Sequence, residues 1–182
     1  NTNGDRTMTS IIKVDTLQTA AGAAPTAADL GINVTGTVLQ VVESSSSTNT
    51  SISGATFADT SLSVSITPKS SSSKVLVLIQ QTYAAANGGT TEMGVGLKLF
   101  RGSTEIAAIN DSARAMAQLQ TSDGSSQQMA GTAFLQKLDS PATTSAITYK
   151  TQGATYAASN TTTLTCQKNG TLSRITVMEI AG

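Results

Sequence analysis

Strict alternation of apolar and polar residues is what most limits the folds open to this chain. Leu62-Ser63-Val64-Ser65-Ile66 carries an apolar residue at every second position and stops at Pro68, which is the period of a strand with one buried face. Met93, Val95, Leu97 and Leu99 alternate with Gly94, Gly96 and Lys98, and Arg101-Gly102-Ser103 then turns the chain into Thr104–Ile109 at hairpin spacing. Turn residues at Asn87-Gly88-Gly89, Asp123-Gly124, Asp139-Ser140-Pro141 and Asn169-Gly170 divide the rest, so about nine or ten short strands are expected, spaced as in a sandwich or barrel. One helical turn near Pro25–Gly31 is the most helix the pattern allows. No fixed-period repeat is present, which argues against a propeller or a β-helix.

Three runs break the alternation. Thr37–Val42, Lys74–Ile79 and Arg174–Ile180 are apolar on both faces, the mark of strands covered on two sides. If one sheet holds all three, it has a second apolar face to hide. The chain is poorly equipped to hide it alone: 23 Ser and 30 Thr among 182 residues, with 12% charged and 3% aromatic, make polar loops and a core of Val, Ile, Leu, Ala and Met. Side chains of that size each remove little area from water. An obligate homo-oligomer is therefore expected, with three copies around an axis, and Val38, Val42, Leu76, Leu78, Ile175 and Val177 are the expected trimer-interface side chains.

Several kinds of chemistry are excluded by what is missing. There is no His, no Trp and one Cys, and 11 basic residues balance 11 acidic ones. Ser-His-Asp and Cys-His catalysis, His-ligated zinc and an intrachain disulfide are thereby removed. Zero net charge gives no electrostatic reason to bind nucleic acid. The longest apolar run is Val75–Ile79, far short of the roughly 18 residues of a membrane span, so no membrane insertion is expected, and no secretory signal is visible. Glu43, Glu92, Glu105, Asp111 and Asp123 are candidates for a glycosidase-like carboxylate pair, but their spacing selects no two of them. Ser73-Lys74 and Ser10 near Lys13 are the neighbours expected by chance in so Ser-rich a chain. Asn110, Asp111 and Asp123 offer oxygen atoms for Ca²⁺ without an EF-hand pattern. Cys166 alternates with Leu164 and reads as a small core hydrophobe. No catalytic residue, cofactor or metal is expected.

Residues 1–36 read as an N-terminal attachment segment followed by an Ala-, Gly- and Thr-rich neck, and residues 37–182 as a β domain. The runs SIIKVDTLQ, GTVLQVV, SLSVSITPKSSSSKVLVLI and RITVMEIAG, in that order over nearly the whole chain, resemble short tail-fibre-like virion proteins of tailed phages, especially phages of marine bacteria. The resemblance implies an all-β, antiparallel jelly-roll sandwich like that of tumour necrosis factor, trimeric, on an extended N-terminal segment. It also implies that Ile11, Ile12, Val14 and Leu17 dock the chain onto other virion proteins of the tail or capsid, an extended segment adding as a strand to a neighbour's sheet edge. Location on the virion surface follows. Host contact, to a surface glycan or protein, is expected at loops such as Tyr83–Thr91, Asn110–Ala113, Gln120–Gln128 and Gly153–Asn160. The resemblance departs in length, because only Gln18–Gly36 is available as a shaft. A capsid-decoration protein is therefore an alternative to a tail appendage, and a polysaccharide depolymerase is an alternative of another class.

Overall fold

Alternation in the sequence becomes alternation in burial. Along Ala58–Ile66, the residues Thr60, Leu62, Val64 and Ile66 are buried and the serines between them are exposed. The computed structural model describes residues 18, 22–24, 35–88, 92–109, 116–120, 126–156 and 162–182. The chain divides into two compact units, Asn1–Val34 and Thr35–Gly182, and the strands lie in the second. The expected docking residues Ile11, Ile12, Val14 and Leu17, the helical turn at 25–31 and the loop 110–113 lie outside the described residues.

The strands are β1 (Val38–Ser46), β2 (Thr50–Ser53), β3 (Ala58–Ile66), β4 (Lys74–Asn87), β5 (Glu92–Arg101), β6 (Thr104–Ile109), β7 (Ala117–Gln120), β8 (Gln127–Asp139), β9 (Ile147–Thr155), β10 (Thr163–Cys166) and β11 (Ser173–Ile180), with a 3₁₀ turn, η1, at Lys168–Gly170. All pairings are antiparallel. One sheet contains β1, β11, β4, β10, β2 and β8, and the other contains β3, β9, β5, β6 and β7.

Three of these strands are interruptions of longer ones. β1 and β2 run end to end against β11 and β10, and β6 and β7 share one edge of β5. Joining them leaves eight rows. The first row pairs with the last, the second with the seventh (β3 with β9), the third with the sixth (β4 with β8) and the fourth with the fifth. Nested pairing of this kind is one long antiparallel hairpin rolled into two four-row sheets, which is the jelly roll. The fold is an all-β antiparallel jelly-roll sandwich.

Polar stretches also become strand. The Ser/Thr-rich stretch 43–53 extends β1 and forms β2, because β11 and β10 offer it a ladder and hydroxyls tolerate an exposed strand face. Residues 83–87 continue β4, 127–128 open β8 and 153–155 close β9, so these parts of the expected host-contact loops are strand, while residues 89–91, 121–125 and 157–160 lie outside the described residues. The three doubly apolar runs do lie together, in the order β1, β11, β4.

The interior is split in two. One apolar cluster contains Leu62, Val64, Ile66, Val75, Val77, Ile79, Leu99, Tyr149, Ile175 and Val177. The other contains Ile52, Ala85, Met93, Val95, Leu164 and Cys166. Between them the buried residues are polar: Thr60, Gln81, Thr151, Gln167 and Ser173. The Gln81 Oε1 accepts from Thr151 Oγ1 at 3.0 Å, and its Nε2 donates to Ser173 Oγ at 3.1 Å. The Thr60 and Thr151 hydroxyls bond to each other. Oriented by its surroundings, the Gln167 amide nitrogen reaches the carbonyls of Thr48, Thr60 and Cys166 at 3.0–3.1 Å, and its oxygen accepts from Gln81 Nε2 at 2.6 Å. Gln167 sits at φ 52, a left-handed conformation that costs on the order of 1–3 kcal/mol and is offset by these bonds. Beside this belt Gly153 makes room for the second cluster, since a Cβ there would lie 2.7 Å from Leu164 Cδ2.

A second buried polar group holds one end of the sandwich. Glu179, on β11, is wholly buried. Its carboxylate accepts from Gln40 Nε2 at 2.6 Å and from the backbone amide of Lys69 at 2.7 Å, pinning the 67–73 loop. Burial pushes this carboxyl up, but the hydrogen bonds from Gln40 and from the Lys69 and Ser70 amides outweigh it and hold it below the ordinary value.

Two outcomes follow for stability. Gln81→Ala strands several buried partners at once, and its unfolding free energy in a urea titration is expected to fall by about 3 kcal/mol. A loss under about 1 kcal/mol would contradict the belt's role. Because Glu179 titrates lower in the folded state, its contribution is full above the unfolded pKa and is lost as pH falls through the folded one. The stability gap between wild type and Glu179→Gln should therefore narrow as pH drops below about 4.3, the unfolded value for Glu. A gap constant from pH 7 to pH 2 would refute this.

Candidate functional site

The outer face of the six-stranded sheet is the surface that stands out. Side chains on a strand alternate between faces, so with Val75, Val77, Ile79, Ile175 and Val177 inside, their neighbours point out. Register then aligns them in rows. Val41, Met178, Leu76 and Leu138 form one apolar row across all four strands. Glu43, Thr176, Leu78 and Gln136 form the next, and Ser45, Arg174, Gln80 and Phe134 the one after. Beyond the polar belt the rows become small and polar: Ser51, Thr165, Ala84 and Ala130, then Ser53, Thr163, Ala86 and Gln128.

The apolar half is exposed to an unusual degree. Val41 is 55%, Leu138 49% and Phe134 72% exposed. Phe134 stands between two depressions. One, of about 450 Å³, is lined by Leu78, Ile79, Leu135 and Gln136 besides Phe134 itself. The other, of about 290 Å³, adds Glu43, Gln80, Arg174 and Thr176. The two charges on this stretch are opposite. Glu43 lies 3.9 Å from Arg174 and accepts from Thr176 Oγ1 at 3.0 Å, and both charged side chains are about half exposed, so their attraction within one chain is weak.

The six expected interface side chains divide. Val38, Leu76 and Leu78 lie on this outer face. Ile175 and Val177 are wholly buried in the core and Val42 packs against it, so these three are removed from the expected interface. For Val42 a register shift between Val38 and Gln40 is the reason, since Val38 pairs with Ile180, which points outward, whereas Val42 pairs with Val177, which points inward. Ile175 and Val177 themselves pair with the inward-facing Ile79 and Val77 of β4. Sequence reasoning missed Val41, Met178, Leu138 and above all Phe134. The signal was there, since Phe134 and Leu138 share a parity along β8 with Thr132 and Gln136 between and beside them.

Of the candidate catalytic carboxylates, the two whose side chains are described, Glu43 and Glu105, lie on different sheets. Glu105 is paired with Lys98 at 2.7 Å on the other sheet, far in the fold from Glu43. The side chain of Glu92, and Asp111 and Asp123, lie outside the described residues. Among the described residues no group of three His, Cys, Asp or Glu side chains is placed to hold a metal ion. A part-buried ionic cluster is structural: Arg101 donates to both oxygens of Asp139 at 2.9 and 2.8 Å, and Tyr149 OH donates to the second at 2.8 Å, tying one sheet to the other. Ser73 is buried and bonds through its amide to Ser70 O, with Lys74 exposed beside it.

No protein-family model and no curated protein matches the chain. Among solved structures it is similar to infectious bursal disease virus, Gx strain, at 11% identity and TM-score 0.33, covering 78% of this chain and 38% of that one. It is also similar to the VP2 subviral particle of that virus, at 8% identity and TM-score 0.34, again covering 78% and 38%. The chain thus spans less than two fifths of the length of those proteins. The jelly-roll assignment above rests on this chain's own strand order.

Cys166 is 1% exposed, and burial pushes its thiol up to about 12. A thiol reagent at pH 8 should therefore find no reactive group in the native protein and one per chain after denaturation. Stoichiometric labelling of the native protein would contradict this burial.

Proposed function

We propose that this chain is a structural protein of a tailed-phage virion, a short homotrimeric appendage whose β domain is presented for host-surface contact. The observation that carries the reading is the apolar row Val41, Met178, Leu76 and Leu138 with Phe134 beside it. A lone soluble domain has no reason to keep such a row in water. β4 has 14 residues, and at about 3.3 Å per residue and about 4.8 Å between rows the whole outer face measures on the order of 900 Å². A standard protein–protein interface takes about 800 Å² per partner. The apolar half then supplies the centre and the Ser, Thr and Ala rows the rim.

The order of the runs that resemble phage tail-fibre-like proteins supports the virion setting, and the rigid sandwich suits display. Attachment is assigned to Ile11, Ile12, Val14 and Leu17, adding as a strand to another virion protein. Glycan or protein on the host surface is the contact assigned to the loops.

Sedimentation of the purified chain should give three times the 18.5 kDa of one copy, and gold-labelled antibody should mark the tails of intact particles. A stable monomer overturns the trimer. Label on the head shell replaces the appendage by a decoration protein, and unlabelled particles overturn the virion assignment.

A further inference from the structure

We propose that Phe134 of one copy seats in the depression beside Leu78 and Leu135 of the next copy, making a knob-in-hole contact that repeats around the assembly. This rests on the homo-oligomer proposed above and names the contact that closes it.

Phe134 is the most exposed large apolar side chain among the described residues, at 72%. The two other phenylalanines, Phe57 and Phe100, are half-buried. Aromatic anchors seated in pockets carry a large share of interface energy, and here the anchor and an apolar hollow of about 450 Å³ lie on the same face. That coincidence selects a second copy of this chain as the occupant, because each copy brings both halves of the contact. The hollow lacks the convergent polar groups that orient a small molecule. Charge agrees as well. Glu43 and Arg174 flank Phe134 on its other side, loosely paired at 3.9 Å, so a like face approaching meets one charge of each sign and no net repulsion. The proposed contact is head-to-tail, each ring entering the hollow of the next copy, so that three such contacts close a ring.

The test uses the full chain. Phe134→Glu changes an exposed side chain, so its circular dichroism and thermal midpoint should match wild type while self-association weakens about thirtyfold or more, and Phe134→Leu should retain most of it. Cys166 is buried, so introduced thiols report alone. Mixed under oxidation, a Phe134→Cys chain and a Leu78→Cys chain should form a disulfide-linked pair that neither forms by itself. Three outcomes overturn the proposal. Wild type that assembles together with an equally assembled Phe134→Glu variant defeats this contact and leaves the oligomer standing. Phe134→Cys chains that link only to one another defeat the head-to-tail geometry. Wild type that is monomeric defeats this contact and the oligomer together.

Discussion

At the level of Gln81 both sheets exchange apolar interior residues for polar ones, and the hydrogen bonds there decide how the strands line up. Alternation alone leaves a choice open. Sliding a strand by one residue turns its apolar set outward and is forbidden, but sliding by two keeps every apolar residue inside. The belt removes that freedom. A two-residue slip of β9 would put Tyr149 or Gly153 where Thr151 meets Gln81 and Thr60, taking a hydrogen-bond partner from the buried Gln81 amide and the buried Thr60 hydroxyl at about 1–3 kcal/mol for each group left unsatisfied. The break in the last row depends on the same place: Gln167, turned left-handed, carries the chain out of β10 and back into β11 while its amide joins Thr48, Thr60 and Gln81. Two modest apolar clusters are thus held in a single register by a polar seam.

Periodicity made the architecture legible. Leu62 to Ile66 and Met93 to Leu99 stood out as strands because apolar residues alternate with polar or small ones, and Val75 to Ile79 because it is a short run apolar on both faces. That β1, β11 and β4 share one sheet was a condition in the sequence reading, and the strand order meets it. What stayed hidden depended on partners far along the chain. Residues 43–53 lack the hydropathy of a strand and become one because β10 and β11 present a ladder. Val42, Ile175 and Val177 look no different from Val38, Leu76 and Leu78 in sequence, and their faces are assigned by the irregularity between Val38 and Gln40 in β1 and by the register of β11 against β4. Gln81, Gln167 and Glu179 are polar letters within or beside apolar runs, and nothing local says that they are buried and satisfied.

The division of apolar residues between inside and outside follows from their supply. None of the three phenylalanines is fully buried, and Tyr149 is the one aromatic residue wholly inside. The core is therefore filled by branched aliphatic side chains and hydroxyl-bearing ones, and the bulkiest exposed group sits on β8. A chain selected only to fold alone would gain by moving that bulk inward. Its place outside points to a second burial step, in which another molecule's surface completes what folding leaves unfinished.

The position of β8 sharpens this argument. Among the described residues β8 pairs only with β4, through thirteen consecutive positions from Val75–Asp139 to Asn87–Gln127 without a register shift. Long regular edges invite pairing with other chains, and proteins usually blunt them with bulges, prolines or several charges. β8 has no bulge and no proline; Lys137 is its one exposed charge. An edge so lightly guarded is safe only if something lies over or beside it. Phe134 and Leu138 are on that strand, so a neighbour that covers them also stands next to its open hydrogen-bonding groups. Covering the apolar row and shielding the edge are then one event, and a closed ring does both without leaving a free end for further addition.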